Sequence, residues 1–198
     1  MEKELHQLLK QLGPIAVRSS AVGEDSEHQS YAGQYISCLN VASVEAIEKA
    51  IIAVRESAFS NRVKVYNERF GITETPKMAV LLQKMVSSRV SGILFTQDPV
   101  SKADERIIEA SWGLGESIAS GHIIPDFFRL SRSGQILEQR IGNKSDSCAD
   151  RLCLDEIELQ KLHLLATSCE NVFGRKLDIE WAIDQNKLYL LQCRPITC

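Results

Sequence analysis

Residues 177 to 197, LDIEWAIDQNKLYLLQCRPIT, alternate apolar and polar side chains in two runs separated by polar residues. A period of two is the geometry of a half-buried strand, because successive Cβ atoms point to opposite faces. The segment is expected to fold back as a β-hairpin with Ile179, Trp181 and Ile183 on one face and Asp178, Glu180, Ala182 and Asp184 on the other. On the return strand, Gln192 and Arg194 are expected to share a face with Leu188 and Leu190. A three-residue loop at Gln185, Asn186 and Lys187 sets a register that pairs Glu180 with Gln192 and Asp178 with Arg194. A carboxylate and a carboxamide oxygen beside an arginine suit a hard cation that carries an anion. Both oxygens can bind Mg2+, and Arg194 can neutralise phosphate. Ordinary cross-strand ion pairs on a solvated face have the same pattern, so the hairpin alone leaves both readings open.

The rest of the chain supports a mixed α+β fold. Leu5, Leu8, Leu9 and Leu12 recur at helical spacing and stop at Gly13 and Pro14. IAVRSS then reads as a buried strand. From Ser43 to Gly71 the apolar face of Val44, Ile47, Ile51, Val54 and Ala58 predicts one long helix or two short ones, with Ser43 as N-cap and Gly71 as terminator. MAVLLQKMV, VSGILFT and RIIEAS are β-rich runs expected as adjacent strands of one sheet, and DFFRLSRSGQILEQR reads as a hairpin turning at Ser133 and Gly134. A last helix begins at Asp155, with Glu158 three residues on, an apolar face of Leu159, Leu162, Ala166, Cys169 and Phe173, and Gly174 as its stop. Strands and helices interleave without a regular βαβ repeat, which excludes a doubly wound sheet.

Composition removes several classes of function. With 23 Lys plus Arg against 26 Asp plus Glu and no long run of either sign, nucleic acid and membrane surfaces are not expected partners. The six cysteines form no C-x-x-C and no zinc-finger spacing, so reduced thiols in a cytoplasmic protein are expected. No G-x-x-x-x-G-K-[ST], G-x-S-x-G or H-E-x-x-H is present, and WGLGESIASG carries Ile118 where a dinucleotide fingerprint needs a third glycine or alanine. The histidines His6, His28, His122 and His163 sit in unrelated contexts and are not expected to be catalytic. VRSSAVGEDSEHQSYAGQ places Arg18 at a strand end and follows it with small, hydroxyl and glycine residues, suited to a loop whose N–H groups close over phosphates.

Four segments in order, VRSSAVGEDSEHQSYAGQYISCLNV, QKMVSSRVSGILFTQDPVS, IIEASWGLGESIASGHIIPDFF and DIEWAIDQNKLYLLQCRPIT, resemble the nucleotide-binding region of the phosphoenolpyruvate synthase and pyruvate phosphate dikinase family. Rifampicin phosphotransferase is similar through the same segments. The resemblance runs from about Gly13 to Thr197 and implies an ATP-grasp fold, with ATP held between two α+β lobes. It implies that Arg18 contacts phosphate, that Gly33 lies in the loop over the phosphates with Ser37, where threonine is usual, beside it, and that Gln83, Lys84, Met85 and Val86 form the strand that receives the adenine. It further implies that Glu180 and Gln192 hold Mg2+ with Arg194 on the phosphates, in agreement with the pairing read from alternation. Glu109 and Trp112 fall in the matching segments and are assigned structural roles.

The departures from the family pattern set further expectations. Nothing upstream of Gly13 supplies a GGKGxxL-like lysine, and the phosphohistidine and barrel domains are not represented, so residues 1–198 are expected to form a partial ATP-grasp domain lacking part of its N-terminal lobe. The acceptor histidine is expected on another domain or chain, and the chain alone is expected to be inactive, weak in Mg-ATP binding and prone to self-association. Two alternatives stay open: a stand-alone nucleotide-sensing or partner-docking module without catalysis, and part of a rifampicin-type phosphotransferase.

Overall fold

In the computed structural model the described residues are 2–24, 31, 33–73, 77–115, 123–144, 150–174, 176–185 and 187–196. The chain divides into two units, Met1–Met85 and Val86–Cys198.

In the first unit, helix α1 (Glu2–Leu12) ends as expected before Gly13, whose φ of 71° breaks the helical path. Strand β1 (Ile15–Ala21) is the centre of a three-stranded antiparallel sheet, flanked by β2 (Cys38–Val41) and β3 (Met78–Lys84). The run from Ser43 forms two helices, α2 (Val44–Ser57) and α3 (Asn61–Phe70), because Ser60 caps a new N-terminus through Val63 N. Ser43 caps α2, and Gly71 closes α3 in the left-handed conformation. The core of this unit joins Leu5 of α1, Ile15 and Val17 of β1, and Val44, Ile47 and Val54 of α2. Val80 and Leu82 pack on it from β3. Ala16, Arg18, Leu81 and Gln83 therefore occupy the sheet face turned away from the helices.

The second unit is built on a six-stranded antiparallel sheet. Its strands are β4 (Val90–Phe95), β5 (Arg106–Trp112), β6 (Asp126–Leu130), β7 (Ile136–Arg140), β8 (Leu177–Asp184) and β9 (Lys187–Pro195), in the order β7-β6-β5-β4-β8-β9. The expected grouping of MAVLLQKMV with VSGILFT and RIIEAS is thus corrected: β3 pairs with β1, while β4 and β5 pair with each other. The hairpin at Ser133 and Gly134 is present between β6 and β7, closed by Ser131 N to Gln135 O.

Helix α4 (Glu156–Phe173) covers one face of this sheet. Its first turn carries the expected capping box, with Asp155 accepting from Glu158 N and Glu158 accepting from Asp155 N. Leu159, Leu162, Ala166 and Cys169 are buried against Val90, Leu94, Ile108, Phe128, Ile179 and Trp181. Phe173, expected on that apolar face, is instead 64% exposed: it lies beyond the end of the covered stripe, next to the Gly174 stop.

Gly92, at the centre of β4, is required by this packing. A Cβ there would lie 2.1 Å from Glu109 O and 2.9 Å from Cζ2 of Trp181, which crosses β4 on the helix side. Gly92→Ala is expected to destabilise the second unit by about 1 to 3 kcal/mol, the usual cost of overpacking, read as a lower urea midpoint in tryptophan fluorescence. An unchanged midpoint would show that the β5 backbone at Glu109, as well as Trp181, yields to the added methyl group at little cost.

Candidate functional site

Strands β8 and β9 bring together the four polar residues singled out by alternation. Glu180 is directly opposite Gln192, and Asp178 is opposite Arg194. The register is reached by a different route from the one expected. Asp184 pairs with Lys187, so the connection spans two positions, and a register shift between Glu180 and Trp181 adds one residue to β9. Gln185 takes a φ of 50°, in keeping with a tight two-residue hairpin; Asn186 lies outside the described residues.

The shift also corrects the facing of β9. Leu188 and Leu190 pair with Ile183 and Trp181 and so point to the helix side, as does Cys193 opposite Ile179. Leu188 and Cys193 pack on the core. Gln192 and Arg194 remain on the opposite face, where Asp178 accepts from Arg194 Nε at 2.8 Å and Nη2 at 2.6 Å. This two-point contact fixes the guanidinium, with only 17% of the Arg194 side chain exposed.

Strand order extends this face. Ile93 of β4 pairs with Glu180 on one side and Glu109 of β5 on the other, and Phe127 of β6 pairs with Glu109. One row across the sheet therefore reads Phe127, Glu109, Ile93, Glu180, Gln192. Sequence reasoning gave Glu109 a structural role because nothing local links β5 to β8.

In the first unit, Arg18 and Gln83 lie together on the face away from the helices, with Arg18 Nη1 donating to Gln83 Oε1 at 3.4 Å. Lys84 ends β3 and is exposed, Met85 N donates to Pro14 O, and Val86 begins the second unit. Gly33 and Ser37 are exposed, and Gly33 has a φ of 66° with its carbonyl accepting from Arg62 Nη1 at 2.7 Å. Arg62, on α3, had no sequence signal. Most of the loop expected to close over phosphates, at 25–30 and 32, lies outside the described residues, as do Ile118, His28, His122, Cys148 and Cys198. Cys38, Cys153, Cys169 and Cys193 are free thiols.

Among the described residues no three His, Cys, Asp or Glu side chains are grouped to hold a metal ion. The oxygens present, one carboxylate opposite one carboxamide, match a cation that keeps water and phosphate in most of its coordination sites, which is the habit of Mg2+. No helix among the described residues is long and apolar enough to cross a membrane.

A three-stranded unit and a six-stranded antiparallel unit, the latter with helix α4 on one face and paired polar residues on the other, define an ATP-grasp-like nucleotide-binding protein. Over residues 1–198 the chain matches the model for the pyruvate phosphate dikinase AMP/ATP-binding domain, and it belongs to that family. It is 33% identical over its whole length to an uncharacterized phosphotransferase, YvkC, of Bacillus subtilis, covering 26% of that protein. It is 37% identical, over 92% of its length, to a probable phosphoenolpyruvate synthase of Archaeoglobus fulgidus, covering 27% of it. It is 35% identical, over 98% of its length, to the rifampicin phosphotransferase of Bacillus subtilis, covering 25% of it. The chain thus spans about a quarter of the length of these relatives.

Proposed function

We propose that this chain is the Mg-ATP-binding portion of a phosphoenolpyruvate synthase or pyruvate phosphate dikinase-like phosphotransferase, in which ATP is positioned for phosphoryl transfer to a histidine on another domain or chain. The observation that carries the reading is the pairing of Glu180 with Gln192 and of Asp178 with Arg194 on the sheet face opposite α4. Glu180 and Gln192 hold Mg2+, and Arg194, oriented by Asp178, neutralises phosphate charge. Arg18 contacts phosphate, Gly33 and Ser37 belong to the loop over the phosphates, and the segment Gln83, Lys84, Met85 and Val86, which runs on from the end of β3, receives the adenine. Positioning and charge neutralisation are what such a site contributes to phosphoryl transfer. The free thiols support a cytoplasmic setting.

The relatives are roughly four times as long as the matched region, and a partner domain or chain is proposed to supply the remaining contacts and the acceptor histidine. Calorimetry with Mg-ATP, with and without the N-terminal lobe of a related enzyme added in trans, tests this. Weak binding that tightens with the added lobe is the expected result. Tight binding by the lone chain, or turnover without any addition, overturns the partner requirement.

Arg18→Ala is expected to weaken ATP binding by about 1.5 to 3 kcal/mol, the size of a charge-assisted hydrogen bond. Its fold should be almost unaffected, because Arg18 lies on the sheet face turned away from the helices and outside the core of the first unit. Equal affinity in the variant removes Arg18 from the site.

A further inference from the structure

We infer that Glu109 is a further positioning residue of the metal–triphosphate site, accepting hydrogen bonds from water bound to Mg2+ on the side opposite Glu180 and Gln192. The inference rests on the reading of the site as a Mg-ATP site, and two features of the sheet carry it.

The first is position. Glu109 and Glu180 are both register partners of Ile93, so they share a row and a face, two strand spacings or about 10 Å apart at Cα. About 10 Å between the two Cα atoms is room for a hydrated Mg2+ between the carboxylates, since its ligand oxygens sit about 2 Å from the ion.

The second is charge. Arg194 on this face pairs with Asp178, and Arg129 and Arg140 pair with Glu138. Glu109 is half-buried between the apolar Ile93 and Phe127, with the Arg140 guanidinium stacked over Phe127 rather than turned to Glu109. Among the described residues, the Glu109 carboxylate makes no hydrogen bond or ion pair. A half-buried carboxylate with no cation of its own is stabilised by one supplied with the ligand.

Mn2+ in place of Mg2+ makes this measurable without turnover, through water-proton relaxation in solutions of the chain with the N-terminal lobe of a related enzyme added in trans and millimolar ATP. Glu109→Gln is expected to raise the Mn2+ concentration at half-saturation roughly 3- to 10-fold, while metal-free ATP binds no more weakly than to the wild type. Glu109→Asp should fall between. An unchanged Mn2+ midpoint overturns the inference, and so does a variant that loses metal-free ATP binding or discrimination against 2′-deoxy-ATP, which would place Glu109 on the nucleoside. Glu180→Gln separates the two levels. If it abolishes the Mn2+ complex while Glu109→Gln does not alter it, only the role of Glu109 fails; if Glu180→Gln changes nothing, or the wild type forms no Mn2+–ATP complex, the site reading fails and this inference with it.

Discussion

Lys144→Met is expected to destabilise the second unit by about 3 to 5 kcal/mol, enough to unfold much of it at ambient temperature. The Lys144 ammonium is buried and donates to both oxygens of Asp126, at 2.7 and 2.6 Å, and to Arg151 O at 2.7 Å. Asp126, also fully buried, accepts in addition from Gly142 N and Cys153 N. Together these bonds tie the segment after β7 and the approach to α4 onto the start of β6. Removing the cation leaves a carboxylate inside the protein with only backbone donors, whereas Asp126→Asn with Lys144→Met removes both charges and should recover part of the loss. Chemical denaturation of the single and double variants measures the difference, and a single variant as stable as the wild type would show that the pair contributes nothing net.

The same pair sets an acid limit. Burial pushes the Asp126 carboxyl up, but Lys144 and the N–H donors of Gly142 and Cys153 outweigh it and hold its pKa below the ordinary carboxylate value. A carboxylate depressed in the folded state contributes stability that is present above its unfolded pKa, near 4, and is lost as pH falls through the folded value. Stability should therefore decline below about pH 4, and this decline should be shallower in Asp126→Asn.

Arg194→Ala is expected to weaken binding of the ATP phosphates by about 1.5 to 3 kcal/mol, roughly a 10- to 150-fold rise in Kd. On a solvated hairpin face the truncation would leave folding almost unchanged, but the contact with Asp178 gives it a cost. Asp178 is only 9% exposed and receives two contacts from Arg194, so the truncation also leaves a buried carboxylate without them and should lower stability by about 1 to 3 kcal/mol. Combining Arg194→Ala with Asp178→Asn removes the stranded charge. Stability should then recover while phosphate binding stays weak. Recovery of both would show that Arg194 acts only by holding the hairpin.

Several features of this protein are written in short stretches of its sequence because they depend on neighbours along the chain. Alternation from Leu177 onward is enough to set Ile179, Trp181 and Ile183 against Asp178 and Glu180, and the Asp155–Glu158 capping box marks the start of α4. The pairing of Glu180 with Gln192 was legible too, although through a loop length that the structure replaces with a tighter turn and an added residue on β9. Such a bulge has no local signature: it is selected by packing, which draws Leu188 and Cys193 to the helix side and leaves Gln192 and Arg194 on the other.

What only the tertiary structure decided are the relations between segments distant in sequence. Whether β3 joins β1 or β4 cannot be read from its apolar run, since either sheet would accept it. The placement of β4 between β5 and β8, which sets Glu109 in the row of Glu180, and the burial of Lys144 on Asp126 follow from strand order and loop closure. Periodicity tells a strand which face to bury, because that is local geometry; it does not name the neighbour, because partners are chosen by the fit of the whole sheet to its core.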